Sequence, residues 1–304
     1  MAVDAEPGLA EILAEVRRIE VFGRRLARGV ITGGYVSAFR GGGLEFDTVR
    51  EYAEGDDPRA VDWNVTARMG RPFVKTYVEE RERTVLFLLD LSASMTGGFG
   101  AWSLREAAAR VVACLALSAV DSGDRVGLVA FSQGVETYVP PRKGLSHALR
   151  IVRDALALPA SGSGTDPAAA LEHVARAVRR HAIVFLVSDF LSGRLEPALS
   201  RCARRHDLVA VRLSPPELVP PSRGLLRVRD PESGAEGVID FSSARVRAAY
   251  AARIAAHLAA TEATLARARV DLLDVSVPRA PSKDAVAGPL LRFFRMRELR
   301  GAKR

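Results

Sequence analysis

An apolar run that ends in a carboxylate is the sequence feature that most constrains the fold of this chain. Residues 85–89 read VLFLL, Asp90 follows directly, and Ser92 and Ser94 occupy the next alternate positions. An uninterrupted apolar run of this length is typical of a strand that is buried on both faces of a parallel sheet. Asp90 is therefore predicted to lie at the carboxyl end of a central strand, where ligands bind in open α/β sheets.

Further strands and helices alternate downstream of this run. Buried strands are predicted at residues 125–131, 182–187 and 208–213. A capping box from Ser103 to Glu106 predicts a helix between the strand that ends at Asp90 and the strand at 125–131. Leucine and valine recur at helical spacing across residues 145–156, which predicts another helix. Connections of helical length between strands favour a parallel sheet with right-handed crossovers. The chain is predicted to be α/β, with a doubly wound, mostly parallel sheet and helices on both faces.

Additions are predicted on both sides of this sheet domain. Residues 1–83 are assigned to an N-terminal helix and a charged strand and turn extension that packs on the main domain, and the segment YVSAF at 35–39 is predicted to be extended. The main domain is assigned to residues 84–278, with a β-hairpin inserted near 225–241. Residues 279–304 are assigned to a C-terminal helix and tail.

Composition limits the classes of partner and the compartment. The formal net charge is +8, but the arginines are spread along the chain beside acids, which argues against a nucleic-acid partner. No apolar stretch approaches the ~20 residues that span a bilayer, and the acidic start is unlike a signal peptide. We expect a cytoplasmic protein without a transmembrane segment. Cys114 and Cys202 lack metal-site spacing and are predicted to be buried thiols.

Oxygen-bearing side chains follow several of the predicted strands. Asp90, Ser92 and Ser94 follow the first strand, Asp189 follows residues 182–187, and Thr165 ends a Ser- and Gly-rich loop before a helix. These five side chains are expected to meet at one sheet edge. Two carboxylates and three hydroxyls suit Mg²⁺, with Mn²⁺ or Ca²⁺ as alternatives, and leave the ion open to a carboxylate from another protein. Alternatively, Asp90 and the serines only cap the following helix.

A second unusual stretch, residues 45–83, alternates acids with arginines around Tyr52, Trp63 and Tyr77. Such a density of opposite charges predicts fixed arginine–carboxylate pairs. These pairs act either as a clamp that holds the stretch on the sheet domain or as a docking face for a partner. The candidate docking residues are Arg50, Asp56, Asp57, Arg59, Asp62 and Trp63.

The first set of motifs resembles the metal-ion-dependent adhesion site of a von Willebrand factor A domain. The pattern is Asp90-Leu91-Ser92-Ala93-Ser94, then Thr165 within Gly-Thr-Asp, then Asp189. The resemblance implies a von Willebrand factor A-like fold, a divalent cation held by these five residues, and no catalytic residue. Asp189 would bind the ion directly or through a water.

The upstream motifs resemble the signature of the bacterial domain-of-unknown-function family number fifty-eight. They read Arg50-Glu51-Tyr52, Gly55-Asp56-Asp57, Arg59 and Asp62-Trp63, and the resemblance covers roughly residues 41–294. It implies a cytoplasmic-facing protein that works with a MoxR-type AAA+ ATPase, as an adaptor or co-chaperone for an unidentified client protein. The N-terminal transmembrane hairpin that many relatives carry is not expected here.

Enzyme hypotheses have less support in the sequence. A phosphatase of the haloacid-dehalogenase type needs an aspartate where this chain has Ser92, and no P-loop motif occurs. The five histidines are scattered and form no H-E-x-x-H pattern. A metal-dependent hydrolase or nuclease would use Asp56, Asp57 and Asp62, which lie among neutralising arginines. The prediction is a non-enzymatic binding module, with a structural scaffold without metal dependence as the alternative.

Overall fold

The computed structural model describes residues 9–26, 32–39, 44–53, 55–79, 82–159, 164–191, 195–231, 233–282 and 284–301. The chain divides into two compact units. The larger unit is formed by Met1–Phe39 and Thr84–Arg304, and the smaller unit by Arg40–Arg83. The predicted first segment, residues 1–83, is thus split between them, because the helices at 9–26 and 32–38 belong to the larger unit and the charged strands and the helix at 63–69 form the smaller one.

Strands and helices are numbered in chain order. The strands are β1 (Leu44–Glu51), β2 (Phe73–Glu79), β3 (Thr84–Asp90), β4 (Arg125–Phe131), β5 (Val135–Arg142), β6 (Ile183–Ser188), β7 (Asp207–Ser214), β8 (Leu225–Arg229), β9 (Glu236–Asp240) and β10 (Asp271–Ser276). The α-helices are α1 (Leu9–Leu26), α2 (Thr32–Ala38), α3 (Trp63–Met69), α4 (Leu104–Asp121), α5 (Leu145–Ala157), α6 (Pro167–Ala177), α7 (Ala198–Ala203), α8 (Ala244–Arg267) and α9 (Asp284–Gly301).

The main sheet of the larger unit has the strand order β10-β7-β6-β3-β4-β5. Neighbouring strands are parallel except β5, which pairs antiparallel with β4 at the edge. The predicted doubly wound, mostly parallel α/β fold is therefore confirmed. The strands β8 and β9 form a separate antiparallel hairpin within the range predicted for it.

Strand β3 contributes to two apolar layers. Val85, Phe87 and Leu89 pack into one core cluster with α4, and Leu86 and Leu88 pack into a second cluster with α6 and α7. All five are fully buried, because alternate strand residues point to opposite faces of a sheet that is covered on both sides. Each such side chain contributes roughly 1.5–3 kcal/mol. This burial fixes Asp90 at the sheet edge.

The capping box of α4 is present as predicted. The Ser103 side chain accepts from the Glu106 N–H, and the Glu106 carboxylate accepts from the Ser103 N–H at 2.8 Å. The helix is buried along most of its length. Cys114 on α4 and Cys202 on α7 are buried free thiols, as expected.

The prediction that residues 35–39 are extended is wrong. Residues 32–38 form helix α2, and Phe39 follows it. Tyr35 and Phe39 are four residues apart and both pack on Phe294 of α9, with ring centroids 6.2 and 6.1 Å from it. The Tyr35 hydroxyl also donates to Asp124 Oδ2 at 2.8 Å. Tertiary contacts therefore override the preference of aromatic and β-branched residues for strands.

The smaller unit contains an antiparallel ribbon of β1 and β2 and the short helix α3. A bulge between Phe46 and Thr48 interrupts the ribbon. The Asp62 side chain caps α3 by accepting from the N–H groups of Asn64 and Val65 at 2.9 and 3.2 Å. Gly70, in the left-handed conformation, ends the helix.

Candidate metal centre

The carboxylate of Asp90 is buried and held at both oxygens. It lies at the carboxyl end of β3 and is 1% exposed. Oδ1 accepts from the Ser92 N–H at 2.8 Å, and Oδ2 accepts from the Ser188 hydroxyl at 2.6 Å. Because both oxygens are oriented, the carboxylate presents a fixed face toward the loops of the sheet edge.

The two predicted serine ligands lie side by side after Asp90. Ser92 is fully buried, Ser94 is partly buried, and their hydroxyl oxygens are 3.1 Å apart. Ser92 precedes the short 3₁₀ helix Ala93–Thr96, but its side chain makes no capping hydrogen bond there. Helix α4 is capped by Ser103 instead. The alternative role of these serines as caps of the following helix is therefore not observed.

Thr165 is brought to the same edge by the residue that follows it. Asp166 is the N-cap of α6, and its side chain accepts from the N–H groups of Ala168 and Ala169 at 3.0 and 3.4 Å. Its own N–H donates to the carbonyl of Ser132 at 2.8 Å, just after β4. Since β4 is hydrogen bonded to β3, this bond anchors the Thr165 loop beside the strand that carries Asp90.

Asp189 follows β6, the other neighbour of β3. It is 3% exposed, and its Oδ1 accepts from the Leu191 N–H at 3.0 Å. Phe190 between them has a φ of 55°, a left-handed conformation that is rare for a side chain of this size. Strained backbone of this kind is found at functional sites.

The electrostatics of the site reflect its burial. Burial raises the pKa of Asp90 to about 6, hydrogen bonds from Ser188 and Ser92 oppose this shift, and the negative charge of Asp189 adds to it. The two carboxylates are thus close enough to repel one another. A cation between or beside them would relieve that repulsion.

Sequence reasoning missed two residues of the site, Ser188 and Arg105. Ser188 lies beside Asp90 because β6 pairs with β3 one residue earlier, at Leu89 and Val187. Arg105 is buried near the start of α4, where its Nε donates to the Ala155 carbonyl at 3.0 Å. Burial lowers the pKa of Arg105, and the charges of Glu136 and Asp90 oppose that effect. The sequence does show a serine directly before Asp189. Its position beside Asp90 depends on the pairing of β6 with β3, which the sequence does not show.

The donor set fits a hard divalent cation. Within the described ranges, no group of three or more histidine, cysteine or carboxylate side chains could hold a metal. An ion here would therefore depend on the hydroxyls of Ser92, Ser94 and Thr165 together with the carboxylates of Asp90 and Asp189. Hard oxygen donors of this kind are those that Mg²⁺ prefers.

Most of the candidate docking residues have local structural roles in the smaller unit. Arg50 forms a two-pronged ion pair with Asp56, with N–O distances of 2.6 and 2.7 Å. The Asp57 carboxylate accepts from the Arg59 N–H at 2.9 Å, and Asp62 caps α3. The side chain of Arg59 is exposed, and the indole of Trp63 at the start of α3 is 73% exposed. Arg59 and Trp63 are thus exposed members of the set whose side chains take no part in these local contacts.

The three acids of the hydrolase alternative are each engaged in this local structure. Asp56 also accepts from the Ala53 N–H at 2.9 Å. The hydrogen bond from Arg50 is the largest of the effects that lower the pKa of Asp56. Asp57 and Asp62 accept from backbone N–H groups.

Most of the chain matches a known protein family. A family model described as "Protein of unknown function DUF58" matches residues 48–260, more than half of the 304 residues. The chain belongs to the DUF58 family. The family resemblance drawn from the stretch between Arg50 and Trp63 is thereby confirmed.

Relatives of this DUF58 chain are found in mycobacteria. "Uncharacterized protein Rv1480" of Mycobacterium tuberculosis and "Uncharacterized protein Mb1516" of Mycobacterium bovis are each 30% identical to it over 275 residues. The aligned part covers 88% of this chain and 86% of each relative. The similarity therefore extends over both units.

Similar solved structures include BatB from Bacteroides thetaiotaomicron and the SpRpn10 VWA domain. BatB has a TM-score of 0.41 and 18% identity, covering 70% of this chain and 99% of BatB. The SpRpn10 domain has a TM-score of 0.39 and 14% identity, covering 67% of this chain and 93% of that domain.

Within the part of the DUF58 chain that the structure describes, no helix is long and apolar enough to cross a membrane.

Proposed function

We propose that this chain is a non-enzymatic protein-interaction module that binds its partner through a divalent cation, Mg²⁺. Asp90, Ser92, Ser94, Thr165 and Asp189 would hold the ion. The observation that supports this most is the buried Asp90 carboxylate, which is fixed at both oxygens beside the Ser92 and Ser94 hydroxyls and repelled by the charge of Asp189. When bound, the ion supplies a positive charge that accepts a carboxylate from the partner.

The two carboxylates and the two serines of the site have distinct parts in this function. Asp90 provides the main negative charge, and its orientation is set before the ion arrives. Ser92 and Ser94 add neutral oxygens, which bind the ion without cancelling its charge. Asp189 adds the second negative charge, and its hydrogen bond from the Leu191 N–H holds the loop after β6 in place. Low total charge in the site favours the recruitment of an acidic group from outside.

The contacts of the serines support a non-enzymatic role. The hydroxyls of Ser92 and Ser94 bond to each other. Neither hydroxyl bonds to a histidine among the described residues. A nucleophilic serine is commonly activated by a histidine base, and the described contacts of this pair do not provide one.

The proposed partner is a MoxR-type AAA+ ATPase, for which the chain would act as an adaptor or co-chaperone toward an unidentified client protein. This part of the proposal rests on membership of the DUF58 family and on the resemblance of the motifs. The predicted location is cytoplasmic, where such an ATPase would have access to the site.

Calorimetric titration with Mg²⁺ tests the metal site directly. Asp90→Asn is expected to abolish measurable binding, because the variant retains the shape of the side chain but loses its charge. Asp240→Asn, which removes the charge of an exposed hairpin residue, is the matched control and should bind like the wild type. Undiminished Mg²⁺ affinity in Asp90→Asn would refute the site.

Affinity capture from the native host tests the partner. Tagged wild type and Asp90→Ala are each incubated with Mg²⁺ or with EDTA, and the captured proteins are identified by mass spectrometry. Recovery of a MoxR-type ATPase with the wild type and Mg²⁺ alone supports a metal-dependent adaptor. Recovery in every condition would move the interface to the smaller unit, and recovery in none would favour a scaffold without metal dependence.

A further inference from the structure

Exposed apolar side chains are concentrated after the carboxyl ends of three neighbouring strands. Phe99 follows β3 and is 77% exposed, Leu191 follows β6 and is 37% exposed, and Val219 follows β7 and is 65% exposed. The order β7-β6-β3 places these strands side by side in the sheet. Leu225 and Val238 of the hairpin after β7 are also exposed. Exposed apolar side chains that are grouped at one edge of a sheet are typical of sites of protein interaction.

Hydrogen bonds join the three loops into one surface. The Phe99 N–H donates to the Glu217 carboxylate, two residues before Val219. The Tyr250 hydroxyl of α8 donates to the Glu217 carbonyl at 2.9 Å. One helical face of α8 reaches both loops, because His257, two turns beyond Tyr250, bonds through Nε2 to the Phe190 carbonyl at 2.7 Å.

This surface is continuous with the proposed metal centre. The Leu191 N–H donates to Asp189 Oδ1 at 3.0 Å, so an exposed apolar residue is tied to a candidate ligand. Phe99 follows the turn that carries Ser92 and Ser94. Apolar side chains therefore lie on two of the loops that hold the candidate ligands.

We infer that Phe99, Leu191 and Val219 form an apolar rim that selects the partner segment bound at the metal centre. The inference rests on the proposed function. The occupant is an extended segment of another protein, in which an aspartate or glutamate is flanked by large apolar residues. The acidic side chain complements the charge of the ion, and the flanking side chains cover the rim. The rim thus adds specificity to a metal–carboxylate contact that any acidic residue could make.

A displayed peptide library tests the inference. The library has a fixed central aspartate and random flanking residues, and it is selected on the immobilised chain in Mg²⁺ and eluted with EDTA. On the wild type, large apolar residues are expected to be enriched at positions next to the aspartate. On the double variant Phe99→Ser/Val219→Ser, EDTA-eluted peptides are expected to lose this enrichment and to bind about 10-fold more weakly.

Two controls separate the rim from general effects on folding. Val21→Ser/Leu299→Ser removes exposed apolar side chains on α1 and α9, outside the rim, and should select the same peptides as the wild type. The rim variant should bind Mg²⁺ within about 2-fold of the wild type, because its two altered side chains are exposed.

The possible failures are distinguishable. EDTA-eluted peptides with polar flanks, or the same apolar flanks on the rim variant, would overturn the rim and leave the metal-dependent function standing. A complete lack of EDTA-eluted peptides would overturn both. A wild-type dimer that becomes monomeric in the rim variant, measured by analytical ultracentrifugation, would identify a second copy as the occupant and would also overturn the inference.

Discussion

Ser188 donates a hydrogen bond to Asp90 across the two central strands, with 2.6 Å between Ser188 Oγ and Asp90 Oδ2. The same hydroxyl oxygen accepts from the Phe190 N–H at 3.0 Å. Both side chains are nearly inaccessible to solvent. One hydroxyl therefore orients the Asp90 carboxylate at the end of β3 and holds Phe190, the strained residue in the loop after β6.

We predict that Ser188→Ala weakens Mg²⁺ binding by about 10-fold, because groups that orient metal ligands typically contribute 10- to 100-fold to affinity. The free energy of unfolding should fall by about 1–3 kcal/mol, since a buried carboxylate oxygen and a buried N–H each lose a partner. Calorimetry and urea denaturation measure the two effects. Ser276→Ala, an exposed residue at the end of β10, is the control. Wild-type Mg²⁺ affinity in Ser188→Ala would show that the bond is structural only.

Removal of the metal is predicted to destabilise the wild type selectively. An ion that binds only the folded chain at 100 times its dissociation constant stabilises it by about 2.7 kcal/mol. Thermal unfolding in Mg²⁺ and in EDTA should therefore show a higher Tm with the ion for the wild type. Asp90→Asn should unfold at the same temperature in both conditions, and an equal Mg²⁺ effect on both proteins would assign the effect to another site.

His206 is predicted to make the fold sensitive to acid. The residue is buried after α7, and neither ring nitrogen has a hydrogen-bond partner within the described part of the chain. Burial, and then the charges of His181 and Arg205, lower the pKa of His206 to about 4. The unfolded chain therefore takes up this proton first as the pH falls. Protonation of His206 therefore does not affect the free energy of unfolding above about pH 6.5, and it lowers this free energy progressively as the pH falls from there toward 4.

His206→Phe should remove this component of the pH dependence. The variant should be about 1–3 kcal/mol more stable near neutral pH, because an unpaired buried N–H is replaced by an apolar ring. Urea denaturation of both proteins at about pH 7.5 and about pH 5 measures the difference. An identical loss of stability in both proteins would assign the acid sensitivity to other groups.

The exposed residues of the smaller unit provide a test of the docking hypothesis. Arg59→Glu and Trp63→Ser alter exposed side chains and should leave stability within about 0.5 kcal/mol of the wild type. If the unit docks a partner, both should reduce capture of the ATPase. Asp62→Ala is the contrasting variant, since loss of the α3 cap should cost about 0.5–2 kcal/mol. Unchanged capture by Arg59→Glu and Trp63→Ser would leave the unit as a structural element.

Local sequence rules were sufficient to predict the central strand β3 and the start of helix α4. The run from Val85 to Leu89 favoured a strand that is buried on both faces, and the structure contains it as β3 with Asp90 at its end. The α4 capping box was equally readable. At the Thr165 loop, Thr165 and Asp166 are adjacent just before α6, and the structure makes Asp166 the cap. Both residues carry a capping oxygen, so the choice depended on the path of the loop.

By itself, the sequence determined the alternation of strands and helices and the candidate ligands that follow β3 and β6. These features depend on residue spacing within one element. Only the tertiary structure decided that residues 32–38 are helical, that Ser188 orients Asp90, and that Phe99, Leu191 and Val219 follow neighbouring strands at one edge. Those outcomes depend on contacts between residues far apart in the chain, which the periodicity of a single segment does not encode.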